Sequence, residues 1–253
     1  MGKTASYRQV LETLDTWDEF LLRESGLPGP RGNLELIQVV ADLGDAALFE
    51  RFLHYGPEIA PTNDPHEFLA ACGVVGLGKL LAEGNLSVLE TLRHCAADPR
   101  WRIREAVCMA LQRWGDVDRA ALFAAVPAWG RGSLWERRAA AAAVCESRLL
   151  TEAAYAQQAL DLLDAITASL AEVAERKDEA FRVLRQGLAY CWSVAVVALP
   201  EAGKPLMEKW AVSDDPDVRW ILRENFKKAR LARMDARSEE HTSELQSRIT
   251  SSY

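Results

Sequence analysis

The fold of the chain is indicated most clearly by residues 98–111, which read DPRWRIREAVCMAL. Pro99 suits the first turn of a helix, where its missing N–H costs no hydrogen bond. From Ile103 to Leu111 the apolar residues recur at three- and four-residue spacing, the period of a helix with one buried face. This spacing continues through most of the chain, and alternating β-branched runs typical of strands do not occur. The sequence therefore predicts an all-helical fold.

The pattern around Arg104 recurs along the chain. Three later segments carry an arginine followed by small or apolar residues, and they align at Arg137, Arg185 and Arg219. The four aligned arginines are 33, 48 and 34 residues apart. A period of roughly 30–50 residues built from two helices is typical of helical repeat proteins. Such a chain is expected to stack its helices in antiparallel pairs joined by short loops.

Two segments resemble the second helix of HEAT repeats: residues 98–106, DPRWRIREA, and residues 215–221, DPDVRWI. The resemblance implies a right-handed α-α superhelix of the ARM type, a HEAT-like solenoid of about 11–12 helices. In that family an aspartate caps the second helix and an arginine bonds across to a neighbouring turn. The resemblance therefore implies a role in repeat stacking for Arg104, Arg137 and Arg219.

The end of the sequence differs from the rest. Residues 237–247 read RSEEHTSELQS, which resembles the in-frame translation of a sequencing-library adapter. A segment of this kind is left out of fold reasoning. We expect one HEAT-like domain over residues 1–236 and an artefactual, disordered tail over residues 237–253.

Charge is distributed unevenly. Residues 1–97 carry 7 basic and 14 acidic side chains, so this segment alone accounts for the net charge of −7 of the whole chain. By contrast, the four predicted second helices carry 18 basic and 11 acidic side chains; they span residues 98–115, 131–148, 175–199 and 214–233. In HEAT-like solenoids these helices line the concave face, and a local basic field can bind phosphate or an acidic partner. The arginines can equally pair with acidic side chains of adjacent helices, and both interpretations stay open.

Tryptophans lie on or beside the same helices. Aromatic rings interleaved with arginines suit stacking on bases and cation–π contacts. Helically spaced tryptophans also commonly fill a core, so this pattern has two interpretations. The candidate residues for a binding groove are Trp101, Arg104, Trp135, Arg137, Arg185, Arg219, Trp220 and Arg223.

Two segments resemble motifs of the DNA alkylation repair glycosylases, namely WERRAA at residues 135–140 and WILRE at residues 220–224. Those enzymes are HEAT-like solenoids that grip duplex DNA in a basic concave groove. Their Trp-Trp-Asp-x-x-Asp motif corresponds here to RWRIRE at residues 100–105. The resemblance implies Glu105 and Arg138 as candidate catalytic residues.

The match to that motif is partial. Trp101 keeps an aromatic residue, and Glu105 keeps a carboxylate four residues later on the same helical face. Arg100 stands where the family has the first tryptophan, and Arg102 stands where it has the first aspartate. These departures weaken the catalytic interpretation.

Cofactor and metal sites are not indicated. The five cysteines form no Cys-x-x-Cys pair, which favours reduced thiols and a cytoplasmic location. The histidines lie far apart without ligand spacing, so we expect neither a metal nor a cofactor. No run approaches 18 consecutive apolar residues, and we expect no membrane association. The glycines of GVVGLG, residues 73–78, lie inside a predicted helix and favour close helix packing over phosphate binding.

The function that the sequence favours is a non-enzymatic HEAT-repeat scaffold or adaptor that binds a protein partner through its concave face. The alternative is a DNA-binding protein of the alkylation-repair glycosylase type, with damaged duplex held in a basic groove. A third possibility is a repeat subunit of an enzyme complex, such as a lyase that acts on cofactor-bearing proteins.

Overall fold

The computed structural model describes residues 2–234, so the proposed adapter-derived tail at residues 237–253 lies outside the described residues. Within residues 2–234 the regular structure is entirely helical, which confirms the all-helical prediction. The chain divides within α8 into two compact units, residues 2–126 and residues 127–234. The helices of the first unit are α1 (Lys3–Leu11), α2 (Asp18–Glu24), α3 (Leu34–Leu43), α4 (Ala46–Leu53), α5 (Pro65–Ala82), α6 (Val88–Ala96), α7 (Trp101–Val117) and most of α8 (Arg119–Trp129).

The second unit contains five further α-helices and two short 3₁₀ turns. The 3₁₀ turns are Ser147–Leu149 and Ser169–Glu172, and another helical segment begins at residue 229. The α-helices are α9 (Leu134–Val144), α10 (Ala153–Ala168), α11 (Glu179–Ala198), α12 (Pro200–Ala211) and α13 (Pro216–Phe226).

The sequence predicts helix starts at Asn33, Asp45, Ser133 and Asp215, and all four are confirmed by their caps. The side chains of Asn33 and Asp45 accept hydrogen bonds from the backbone N–H groups three residues later. Ser133 and Glu136 form a reciprocal capping box at the start of α9. Asp215 caps α13, where Pro216 occupies the first turn.

Other predicted boundaries are wrong, and two of them show why. The sequence predicts a capping box of Thr16 with Glu19, but α2 begins at Asp18 without a side-chain cap. It also predicts a helix that begins at Asp116, whereas Asp116 lies inside α7. Asp118 takes the capping role instead, because its Oδ1 accepts a hydrogen bond from Ala121 N at 2.9 Å. Both errors come from short polar side chains that satisfy the capping pattern in sequence only.

Helix α5 forms the centre of the first unit and packs against α3, α4 and α7. Its glycines allow two of these close approaches. A Cβ atom at Gly76 would overlap the ring of Phe49 on α4, and one at Gly78 would lie 2.8 Å from Ala110 Cα on α7. The predicted packing role of the glycines in residues 73–78 is thereby confirmed.

A buried arginine ties a loop of the first unit to the start of α7. The side chain of Arg100 is 4% exposed and pairs with Asp98 at 2.8 Å. Its Nη1 also donates to the carbonyl oxygens of Tyr55 and Ala60, at 2.7 and 3.0 Å. The loop between α4 and α5 is therefore held by a charged group that would be costly to leave without partners.

Helix α11 forms the centre of the second unit and packs against α9, α10, α12 and α13. The fully buried Asn225 of α13 bridges two backbone groups of α11. Its Nδ2 donates to Leu188 O at 3.0 Å, and its Oδ1 accepts from Ser193 N at 2.8 Å. Because buried polar groups require partners, this amide fixes the register of α13 on α11.

Among the described residues, no helix combines the length and the hydropathy needed to cross a bilayer. The five cysteines are present as thiols, and four of them, Cys72, Cys108, Cys145 and Cys191, are buried. The sequence predicts small core residues at all five positions, and Cys95 departs from this prediction because it is only half-buried.

Replacing Gly78 with valine tests the close approach of α5 to α7. The new side chain meets the backbone at Ala110, which cannot move aside as a flexible side chain could. We expect Gly78→Val to lower the free energy of unfolding by about 3 kcal/mol, measured by urea denaturation. Gly56→Ala is the matched control, since a Cβ at Gly56 has no heavy atom within 4 Å. Equal stability of the two variants would contradict this packing.

Candidate functional site

A small apolar pocket lies between α3 and α7 within the first unit, and residues of α5 form its floor. Its cavity volume is about 50 Å³, which suits the end of one aliphatic side chain and is far below the roughly 300–1,000 Å³ of small-molecule sites. The lining residues are Gly32, Leu34, Ile37, Phe68, Ala71, Trp101, Arg102, Glu105, Ala106 and Met109. We call this site the α3/α7 pocket.

Two predicted site residues, Trp101 and Glu105, lie together in the α3/α7 pocket. The Trp101 side chain is 45% exposed, and Leu34 across the pocket is 58% exposed. Glu105 is also exposed, one turn along α7 from Trp101. The pocket therefore combines an accessible aromatic ring, an accessible aliphatic residue and an accessible carboxylate.

Arg102 holds Trp101 in place. Its guanidinium carbon lies 4.5 Å from the centroid of the Trp101 ring, a cation–π distance. The Arg102 side chain is only 10% exposed and pairs at 3.0 Å with the fully buried Glu67 of α5. It also donates to Gly29 O at 2.6 Å. The guanidinium of Arg102 is thus paired within the first unit. Because these contacts hold the guanidinium in place, they also hold the indole ring that packs on it.

A second set of contacts joins α7 to α3 one turn after Met109. There Arg113 of α7 donates to Gln38 Oε1 of α3 at 2.8 Å and to the carboxylate of Asp42. Ion pairs therefore hold the helices on both sides of the pocket. A site supported in this way is largely formed before any partner binds.

Several predicted groove arginines hold the loops that precede their own helices. Arg104 is buried and donates to Asp98 O and Pro99 O at 2.7 and 3.0 Å. Arg137 donates to Gly132 O at 2.9 Å, and Arg219 donates to Ser213 O at 2.9 Å. In all three cases the acceptor lies five or six residues earlier in the chain. The structure thus gives these aligned arginines one shared local contact.

Arg185 and Trp220 lie together in the second unit, as neighbours in an ion-pair cluster. The guanidinium of Arg185 lies 4.3 Å from the Trp220 ring centroid and bonds to Asp217 at 2.5 Å. Arg176 pairs with both Asp215 and Asp217, and its hydrogen bond to Asp215 holds the pKa of that carboxyl below its usual value. Arginines of the second unit therefore also pair with acidic neighbours.

The other predicted residues of the second unit lie on α9 and α13. Arg223 is exposed on α13, and Trp135 is half-buried on α9. Arg138 is half-buried, with its Cγ near Gly187 of α11. Glu105 belongs to the first unit and Arg138 to the second, so the two catalytic candidates lie in separate units.

Sequence reasoning missed most of the pocket lining. Leu34, Ile37, Phe68 and Met109 come from three helices that are far apart in the chain. Each has the spacing of an ordinary core residue, so only the three-dimensional packing distinguishes them. The one available signal was Trp101 with Glu105, which share a helix.

The thiols of Cys72, Cys95 and Cys145 are not activated as nucleophiles. Burial raises the pKa of the Cys72 and Cys145 thiols well above the usual value, and it raises that of Cys95 to about 11. Within residues 2–234, no three or more His, Cys, Asp or Glu side chains are grouped so that they could hold a metal ion.

Comparisons of the chain with protein-family models, with curated proteins and with solved structures give no match.

Removing the partner of buried Glu67 tests the support of the pocket. We expect Arg102→Met to lower the free energy of unfolding by roughly 3 kcal/mol, because it leaves a buried carboxylate without its counter-charge. The double variant Arg102→Met with Glu67→Met should recover most of this loss in chemical denaturation, since no buried charge then remains. Additive losses in the double variant would show that the ion pair is not the relevant interaction.

Proposed function

We propose that this protein is a non-enzymatic helical scaffold that binds a protein partner, and that the α3/α7 pocket is a contact site. The observation that carries the proposal is the exposure of Trp101 and Leu34 on the two sides of a preformed apolar pocket. Accessible aromatic and aliphatic residues around a small pocket are typical of the anchor points of protein interfaces.

The size of the α3/α7 pocket favours part of a protein side chain over a small molecule as the occupant of this pocket. A cavity of about 50 Å³ accepts part of one side chain. A metabolite or cofactor needs several times this volume and several convergent polar groups. The lining of the pocket is mostly apolar, and its two charged members are Arg102 and Glu105.

A HEAT-like repeat arrangement remains our proposal for the architecture. It is supported by the recurring contact in which Arg104, Arg137 and Arg219 each bond to the loop before the helix. The aspartate cap of α13 matches the family pattern as well. In α7 the cap differs, because Asp98 accepts from the backbone and side chain of Arg100 instead.

The alternative is a DNA-binding protein of the alkylation-repair type. Its support is the pairing of Trp101 with an exposed Glu105 in one pocket, which an aromatic wall and a catalytic carboxylate would require. Against it stands the use of the α7 arginines inside the first unit, where they are not available to phosphates. These arginines are Arg100, Arg102, Arg104 and Arg113.

Photocrosslinking from the pocket distinguishes the two functions. A benzoylphenylalanine at position 34, irradiated in an extract of the native cells, should give a discrete adduct that protease removes and nuclease leaves intact. The adduct should disappear when Trp101→Ala is added and should be absent with the probe at Val212, which is 82% exposed in the second unit. A nuclease-sensitive adduct, or equal labelling from both positions, would contradict the protein scaffold.

A base-release assay addresses the alternative directly. Residues 1–236 are incubated with duplex DNA bearing a 3- or 7-alkylpurine, and free base is measured beside a Glu105→Gln variant. We expect no release above the variant and only weak duplex binding at about 200 mM salt, because the α7 arginines are occupied. Release that depends on Glu105 would establish the glycosylase instead.

A further inference from the structure

Two exposed aromatic rings lie among a cluster of cations near the end of α13, in the second unit. The rings are Tyr190 of α11, which is 47% exposed, and Phe226, the last residue of α13, which is 55% exposed. The cations are Arg223, Lys227, Lys228 and Arg230. We call these six residues the Tyr190 patch.

We infer that the Tyr190 patch binds single-stranded nucleic acid, with the cations on its phosphates and the two rings stacked on its bases. This inference goes beyond the proposed protein scaffold. It concerns a different unit of the chain from the α3/α7 pocket, so neither depends on the other.

Cations and the ring of Tyr190 are in direct contact. The guanidinium carbon of Arg230 lies 4.5 Å from the centroid of the Tyr190 ring, and its Nη2 donates to the Tyr190 hydroxyl at 2.7 Å. The ammonium nitrogen of Lys228 lies 5.9 Å from the same centroid. Both distances are in the cation–π range, so these two cations and the ring form one surface.

The cations at the end of α13 are close to one another as well. Lys227 pairs with Glu224 at 2.5 Å, and this hydrogen bond lowers the pKa of the Glu224 carboxyl. The positive charges of Lys228 and Arg223 lower the pKa of the same carboxyl further. Three cations therefore surround one carboxylate, and Lys228 joins them to Tyr190.

The positive charge of the patch is not cancelled locally. Residues 219–234 carry six basic side chains and one acidic side chain, Glu224, a net charge of +5. Among residues 2–234, Glu224 is the only carboxylate that pairs with a cation of the patch, and it pairs with one. The second unit as a whole, residues 127–234, carries 16 basic and 15 acidic side chains, so its positive charge is concentrated in this segment. A surface of this kind attracts a polyanion.

Stabilisation of a helix end explains only part of this charge. Arg223 lies in the last turn of α13 and Lys227 follows it, where cations interact favourably with the terminal carbonyl groups. That effect is confined to one turn. Arg230 and Arg233 lie in the next helical segment, which begins at residue 229, so the end of α13 does not account for them.

The exposed rings select the kind of polyanion. Bases of a single strand are free to stack on aromatic side chains, and such stacking tolerates any sequence. Bases of a duplex are stacked on one another and leave only the phosphates for contact. Acidic side chains of a peptide would meet the cations, but they carry no aromatic face to cover Tyr190 and Phe226.

The last helical segment does not have the form of a membrane-binding helix. Such a helix turns its aliphatic side chains toward the lipid. Here Leu231 is only 6% exposed and packs inward, whereas Ala232 and Arg233 are exposed. The outward face of the segment therefore offers charge without an aliphatic surface.

Fluorescence anisotropy with the full chain tests this binding. The probes are a labelled uridine strand and a labelled thymidine strand of about 15 nucleotides each, and a DNA duplex of the same length. We expect both single strands to bind at about 50 mM salt and to lose about tenfold or more in affinity at about 200 mM, because several phosphates are contacted. The duplex should bind at least about fivefold more weakly than either strand, since its bases cannot reach the rings.

Substitutions at two exposed positions separate stacking from charge. Phe226→Ala should weaken binding of the strands at least about fivefold without changing the salt dependence, and Phe226→Tyr should keep the wild-type affinity because it keeps a ring. Arg223→Gln should weaken binding and reduce the salt dependence by roughly one phosphate contact. Both side chains are exposed, so the variants should keep the wild-type unfolding transition.

Matched controls lie outside the patch. Val212→Ala shortens an apolar side chain that is 82% exposed, and Arg131→Gln removes an exposed arginine of the same unit. Each should change the affinity for the strands by less than about twofold, because surface charges beyond roughly 10 Å are screened by salt. Trp101→Ala should also leave the affinity unchanged, since Trp101 belongs to the first unit.

The outcomes separate the inference from the proposed function. Absence of strand binding, or equal losses in Arg223→Gln and Arg131→Gln, would overturn the inference and leave the protein scaffold standing. Equal affinity for strand and duplex with no effect of Phe226→Ala would also overturn it. Displacement of the strand by a polyglutamate peptide of equal charge, again with no effect of Phe226→Ala, would indicate an acidic protein partner instead. Sedimentation with phosphatidylserine vesicles in place of strand binding would indicate a membrane surface.

Discussion

The close approach of α5 to α4 and α7 is the constraint on which the first unit depends. Gly76 and Gly78 permit it, because any side chain at these positions would overlap Phe49 or the backbone at Ala110. With α5 at this depth, Glu67 is carried into the interior and Phe68 reaches the floor of the pocket. The glycines therefore help to set the depth of the helix that carries Glu67 and Phe68.

The second consequence of this packing concerns charge. Glu67 is fully buried, and a buried carboxylate is tolerated only beside a counter-charge and hydrogen-bond donors. Arg102 and the backbone N–H of Asn63 provide them, at 3.0 and 2.7 Å. Arg102 then covers one part of the Trp101 ring and leaves the rest to solvent. An exposed indole on a fixed support is a surface suited to binding, and the pairing of Arg102 accounts for an arginine at this position of α7.

The sequence predicted features that depend on interactions between residues close together in the chain. Caps at Asn33, Asp45 and Ser133 were predictable because each depends on residues within one turn. The glycines of α5 were also predictable, since glycines repeated inside a helix lower its stability and are typical of places where a second helix comes close. The pocket was not predictable, because Leu34, Phe68 and Met109 meet only after three distant helices have packed.

The contacts of the arginines were not predictable either. A count of charges cannot tell a solvated guanidinium from one that bonds to a carbonyl oxygen, as in Arg104. Amide hydrogen exchange followed by mass spectrometry tests most directly whether the α3/α7 pocket is the contact site for a protein partner. Exchange is compared for the protein alone, with a saturating random-library peptide selected for Trp101-dependent binding, and with an alkylated DNA duplex at the same concentration. We expect the peptide to slow exchange at the start of α3 and in the first half of α7, and the duplex to leave these segments unchanged. Protection of α7 by the duplex, or peptide protection confined to helices of the second unit such as α11 and α13, would contradict a protein-binding pocket between α3 and α7.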